Sequence, residues 1–198
     1  MDPTHGYERI APAYIDYRGR HSDGTGAAPV RAWAQALPAG ASVLDLGCGT
    51  GLPITKVLVD EGLDVYGIDA SPTMIASFRQ HFPDVPVACE SAIGSPFFDR
   101  TFDAVVAWGL IFLLSEADQY ALIEQFGRTL RPGGQVLFTA PWQIGEWDDS
   151  MTGEVSRSLG EGRYRALLTA AGFAGVEGFE AEGNYYFRAE KPREIVRS

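Results

Sequence analysis

The feature that most constrains this chain is Val43-Leu-Asp-Leu-Gly-Cys-Gly-Thr-Gly51, an apolar run that passes directly into glycines at alternate positions. Glycines there let the backbone take left-handed conformations and let a ligand approach main-chain N–H groups ahead of a helix. Residues 52–60 continue in helical pattern, so the segment reads as strand, turn and helix. Such a turn alone marks any nucleotide-binding α/β fold. Two details narrow it. Leu52 stands where a dinucleotide fingerprint would place its third glycine, and Asp45 sets a carboxylate at the mouth of the turn. A carboxylate there suits a cationic group, or water beneath an amino group, and is poorly placed beside a pyrophosphate.

Short apolar runs then alternate with segments of helical period, the pattern of a parallel sheet covered by helices. Strands are expected at residues 42–46, 64–68, 86–89, 102–108 and 135–140, with 175–180 and 184–189 as an antiparallel pair at one edge. Pro29 opens a helix with Val30, Trp33, Ala34 and Leu37 on one face. Ser71 and Pro72 read as N-cap and first residue of another. Ser115-Glu-Ala-Asp118 resembles a capping box, and its helix runs to the Arg131-Pro-Gly-Gly134 turn. A last helix carries Tyr164, Leu167, Leu168 and Ala171 and stops at Gly172. Residues 142–162 read as a loop, and Pro12 is expected to interrupt any helix near the N-terminus.

At 198 residues with 21% charged side chains, one compact domain over residues 29–198 is expected, preceded by an N-terminal lid segment over 1–28. The net charge of −10 argues against sequence-independent nucleic-acid binding. Cys48 and Cys89 are too few for a disulfide framework or a metal knot, and each falls in an expected core or site segment. The first residues lack a signal-peptide pattern and no apolar run of about 18 residues occurs, so a cytoplasmic protein with no membrane span and no metal is expected.

The second strand ends in Gly67-Ile-Asp69, which places a carboxylate at the next strand tip, suited to paired ribose hydroxyls. At this point Val43–Gly51 resembles the first motif of class I S-adenosylmethionine-dependent methyltransferases, and Gly67-Ile-Asp-Ala-Ser-Pro-Thr-Met74 resembles the second. The run Pro96-Phe-Phe-Asp-Arg-Thr-Phe-Asp103 is similar to the entry into that family's fourth strand, and Leu130-Arg-Pro-Gly-Gly134 to the turn before its fifth. The resemblance spans residues 42–140 in order. It implies a Rossmann-like, seven-stranded, mostly parallel sheet with an antiparallel edge strand and helices on both faces.

The resemblance also assigns roles. Gly47, Cys48, Gly49 and Gly51 would lie against the methionine part of S-adenosyl-L-methionine, with Asp45 near its ammonium. Asp69 would bind the ribose, and Ala70 and Met74 would flank the adenine. Glu90 or Ser91 would meet the adenine amino group, and Trp108 would sit beside the sulfonium. Tyr7-Glu-Arg-Ile-Ala-Pro-Ala-Tyr14 resembles a lid helix in which Tyr7 or Tyr14 bonds the cofactor carboxylate, and Arg18 offers a bidentate partner for the same anion.

No catalytic base is assigned. His81 reads as a surface residue, and His5 and His21 lie in the N-terminal segment near the expected pocket mouth. The chain has Trp108-Gly-Leu-Ile-Phe112 where amine methylases of nucleic acid carry Asn or Asp followed by two prolines, and it lacks a Pro-Cys nucleophile. A small-molecule acceptor is therefore expected. Trp142, Trp147, Met151, Tyr185 and Tyr186 are candidates for its pocket, suited to a cationic or planar group; ordinary packing is the alternative for each. A nicotinamide-dependent oxidoreductase and a non-catalytic cofactor-binding domain remain as competing functions.

Overall fold

The computed structural model describes residues 2–20 and 24–193. His21, a candidate for the pocket mouth, lies outside them.

The chain runs α1 (Tyr7–Arg20), α2 (Ala27–Ala34), β1 (Ser42–Leu46), α3 (Ile54–Asp60), β2 (Asp64–Asp69), α4 (Pro72–His81), β3 (Val87–Cys89), β4 (Phe102–Ala107), α5 (Glu116–Thr129) and β5 (Leu130–Thr139). A hairpin of β6 (Ile144–Asp148) and β7 (Val155–Leu159) follows, then α6 (Glu161–Ala170), β8 (Ala174–Ala181) and β9 (Asn184–Glu190). Seven strands form one sheet in the order β3-β2-β1-β4-β5-β9-β8. β1 through β5 are mutually parallel where they pair, and β9 runs antiparallel to both β5 and β8. The reversed strand is thus β9, one place in from the edge.

Every residue of β1 is buried, as a central parallel strand with helices on both faces requires. Side-chain alternation divides the core. Val105 and Ala107 of β4, joined by Phe102 across a register shift at the start of the strand, face Leu122, Ile123 and Phe126 of α5 and Tyr164 and Leu168 of α6. Ala104 and Val106 face the other way, toward Val30 and Trp33 of α2 and Val57 and Leu58 of α3. α4 lies beside β2 and β3, with Ile75 and Phe78 against Cys48. Both expected caps are present: Ser71 accepts from the Met74 N–H at 3.1 Å, and Ser115 from the Asp118 N–H at 3.2 Å.

Three expectations are corrected. Residues 142–162 are not simply a loop, because β6 and β7 pair from Ile144 with Leu159 to Asp148 with Val155. Pro12 does not break α1, which passes through it. Its missing N–H forfeits a single bond, to the Glu8 carbonyl, near the start of the helix. Cys89 is exposed at the end of β3, whereas Cys48 is buried.

Strand order reverses between β1 and β4, so the turns after those strands diverge and leave a crevice at their C-terminal ends. The site is built there.

Candidate functional site

The glycine turn folds back onto β2. Gly47 and Cys48 both donate their N–H to the Ile68 carbonyl, at 2.8 and 3.1 Å, bringing the two strand tips together. Asp69 then ties the turn to the start of α4. One carboxylate oxygen accepts from the Gly49 N–H at 2.9 Å and the other from the Ser71 N–H at 2.8 Å. Burial raises the Asp69 pKa against the lowering effect of those bonds. Asp45 is sealed beneath the turn, where Oδ2 accepts from the Thr55 hydroxyl of α3 at 2.6 Å. Its pKa is pushed up to about 7, chiefly by burial; the Thr55 bond opposes the shift and the charge on Asp69 adds to it.

A cavity of about 380 Å³ runs from these strand tips to the N-terminal helix, within the range of cofactor sites. Gly47, Cys48, Gly49 and Asp45 line one side, and Asp69, Ala70, Met74 and Ser91 another. Trp108 and Phe112 follow β4, while Tyr7, Tyr14, Arg18 and Met151 come from α1 and the hairpin tip. Two expected cofactor residues lie elsewhere. Glu90 is not in the wall, and its carboxylate accepts from the Ser95 hydroxyl at 2.7 Å. Gly51 is also outside the wall. At φ +82° it faces α4, and an added Cβ would collide with the Phe82 ring, so this glycine serves packing of the turn against α4. Cys48 contributes to the wall, but burial holds its thiol well above the usual range, so it is no nucleophile.

Arg18 is buried at 7% exposure. Its guanidinium lies 5.0 Å from the Trp108 ring centre and 5.3 Å from that of Tyr14, and Nε donates to the Tyr14 hydroxyl at 3.0 Å. Among the described residues no carboxylate forms an ion pair with it. A buried cation so placed has capacity for an anion. Trp108 donates its Nε1–H to the Tyr186 hydroxyl at 3.1 Å, which fixes the indole over the cavity. That bond explains the placement of Tyr186. Fully buried and stacked on Phe179, it is a core residue on the opposite face from Tyr185, which corrects its reading as part of an acceptor pocket.

The roof is held by polar contacts that the sequence did not disclose. Glu8 of α1 accepts from the Ser71 hydroxyl and, at 2.6 Å, from the Thr73 hydroxyl at the start of α4. These bonds lower its pKa. Arg9 donates to the Thr152 carbonyl at 2.6 Å, and the Tyr7 hydroxyl approaches Asp149 Oδ2 at 3.4 Å, so α1 also meets the hairpin tip. Asp149 was missed, although Asp149-Ser-Met-Thr-Gly153 has the composition of an Asx turn. Its Oδ1 accepts from the N–H groups of Met151 and Thr152, both at 2.9 Å. His81 is exposed, with Nδ1 3.3 Å from the Thr50 carbonyl. His5 lines the cavity, and its Nε2 is buried with no hydrogen-bond partner among the described residues.

A second cavity, of about 410 Å³, adjoins the first and holds Trp142, Trp147 and Tyr185. Met151 belongs to the first cavity alone, while Phe112, Asp149, Ser150 and Asn184 line both. Among the described residues no group of three or more His, Cys, Asp or Glu is placed to hold a metal ion, and no helix is long and apolar enough to cross a membrane.

Fold and site together define a doubly wound α/β domain with a cleft at its switch point, where such sheets bind their ligands. A family model described as a methyltransferase domain matches residues 43–134. An uncharacterized methyltransferase of Mycobacterium tuberculosis is 36% identical over 134 residues, covering 66% of this chain and 46% of that one. A demethylmenaquinone methyltransferase of Beutenbergia cavernae is 36% identical over 119 residues, covering 57% of this chain and 48% of its own. In fold, the chain is similar to an S-adenosylmethionine-bound amino pentose methyltransferase of Micromonospora echinaspora, with TM-score 0.72, 22% identity, and coverage of 90% and 96%. Residues 43–134 thus match a methyltransferase domain, and the chain has the fold of a solved S-adenosylmethionine-bound methyltransferase. It spans about half the length of the relatives it matches in sequence.

Proposed function

We propose that the cleft binds S-adenosylmethionine and that the chain transfers its methyl group to a small-molecule acceptor. The observation that carries this reading is the polarity of the cavity. Asp69, a carboxylate for ribose hydroxyls, stands at the tip of β2, and Arg18, a buried cation for an amino-acid carboxylate, lies against Trp108 after β4, on the other side of β1. Asp45 lies beneath the turn between them, where an ammonium suits it. The same pair of carboxylates beside the glycine turn opposes a diphosphate, which disfavours a nicotinamide dinucleotide.

When bound, the cofactor supplies a methyl group already activated by the positive sulfonium. The protein's part is then to orient and to exclude water. Trp108, fixed by Tyr186 and Arg18, packs over the cavity between the glycine turn and α1. Ala70 and Met74 suit the adenine faces, and Ser91, which lines the cavity where Glu90 does not, suits its polar edge. α1 and the tip at 149–151 act as the lid, with Glu8 and Arg9 as its fastenings. A roof this close, on a chain of net charge −10, favours a small acceptor over nucleic acid.

Calorimetric titration with S-adenosylhomocysteine and, separately, with NAD+ tests the reading. Micromolar binding of the first, about 8 kcal/mol, is expected with none of the second. Retention of NAD+ with no affinity for S-adenosylhomocysteine would sink it.

A further inference from the structure

The second cavity has a chemistry of its own. Phe112, Trp142 and Trp147 contribute aromatic faces, and Phe112 and Trp147 lie with ring centres 5.8 Å apart at 41°. Asp148, Asp149 and Glu180 contribute carboxylates, and the wall contains no Lys, Arg or His among the described residues. Aromatic faces and carboxylates both attract cations and offer nothing to an anion. Asp148 and Glu180 are exposed at the rim, where solvent screens them, so their effect is on approach more than on hold. Asp149 differs. It is 9% exposed and stands in the wall shared with the donor cavity.

The two oxygens of Asp149 are unequally used. Oδ1 is engaged by the hairpin turn, taking the Met151 and Thr152 N–H groups and, at 3.2 Å, the Thr152 hydroxyl. Oδ2 accepts only the long 3.4 Å approach of Tyr7 among the described residues. The turn holds the carboxylate in place while leaving Oδ2 capacity for another donor.

We propose that this cavity takes an amine, bound as its ammonium among Phe112, Trp142 and Trp147, with Asp149 Oδ2 as the group that holds it beside the methyl donor. The inference rests on the methyl-transfer reading and names its acceptor class. An ammonium has no lone pair, so it must lose a proton before it can attack. Asp149 Oδ2 takes that proton and passes it to solvent. The freed lone pair then forms the carbon–nitrogen bond as the methyl–sulfur bond breaks, and the electron pair of the broken bond stays on sulfur.

The test uses choline and 3,3-dimethylbutan-1-ol, which share a shape and differ in charge. Each is titrated calorimetrically into the whole chain, with and without saturating S-adenosylhomocysteine. Choline cannot lose a proton, so its binding isolates the preference for positive charge. It is expected to bind at least about tenfold tighter than the alcohol, about 1.4 kcal/mol. Asp149→Asn, which keeps an oxygen for the turn, should remove most of that preference, and Trp147→Leu should weaken choline more than the alcohol. Equal or tighter binding of the alcohol, or a preference that survives both substitutions, overturns the proposal. If S-adenosylhomocysteine fails to bind, the donor reading fails by itself, and the choline comparison still reports on the second cavity.

Discussion

Asp69 does two jobs at the tip of β2, and they separate by substitution. Its oxygens accept the Gly49 and Ser71 N–H groups, which shape the turn, and their remaining lone pairs face the cavity where ribose hydroxyls would donate. Asp69→Asn keeps one acceptor for the backbone and removes the charge. The expected result is a loss of S-adenosylhomocysteine affinity of about 1.5–3 kcal/mol, the scale of a hydrogen bond to a charged group. Thermal stability should change little, because relief of a buried charge offsets one weakened backbone bond. Calorimetry and a thermal melt on the same sample check both parts. Unchanged affinity would show that no ligand hydroxyl reaches this carboxylate.

At the scale of elements, one close approach fixes how two helices meet. Gly127 of α5 lies against the Ala171 carbonyl at the end of α6, and an added Cβ would overlap that oxygen. Gly127→Ala should therefore destabilise by about 1–3 kcal/mol through overpacking, despite the better helix propensity of alanine. Gly127 lines neither cavity, so cofactor affinity should persist. A melt that is unchanged or raised would mean that α6 shifts freely. The sheet was legible because β1, β2 and β4 bury apolar runs of the right length between punctuated helices. The hairpin was not, for a physical reason. Its buried face in β7 is made of Ser156 and Ser158, while Ile144 and Val155 point to solvent, so its hydrophobic pattern is inverted. Ser158 donates to the Pro141 carbonyl at 2.5 Å, and a hydroxyl partner of this kind leaves no trace in periodicity. Tyr186 was a readable error: adjacent strand residues face opposite ways, so Tyr185 and Tyr186 do not share one pocket. The glycine turn, Asp45, Asp69 and Trp108 were legible as a local motif. Glu8 and Asp149 act across 65 and 142 residues of sequence, and nothing local marks their partners.

Over the whole molecule, titration couples stability to the cofactor. Asp45 has its folded pKa raised to about 7 and Asp69 is shifted the same way, so the folded state binds these protons more tightly than the unfolded chain. Their contribution is fully present below the ordinary carboxylate range and is lost as pH rises through about 7. Asp103, held low by its bonds to Ser42 and Arg131 despite partial burial, and Glu8, held low by Ser71 and Thr73, act in the opposite sense. Their contribution is present above the ordinary range and lost in acid. The ligand-free melt should thus peak in mildly acidic solution and decline toward neutrality. A cofactor ammonium beside Asp45 favours its ionised form, so binding below pH 7 must displace a proton and is weaker there. With a pKa of about 7, roughly one-tenth of Asp45 is ionised at pH 6 and nine-tenths at pH 8. S-adenosylhomocysteine affinity should consequently rise by up to about tenfold between those values, ~1.4 kcal/mol. In a domain of this size that adds roughly 3–5 °C to the ligand-induced rise in Tm at saturating ligand. Asp45→Asn, which can still accept from Thr55, should flatten the dependence. A ligand-induced rise that is the same at both pH values in the native chain would show that the ammonium lies away from Asp45.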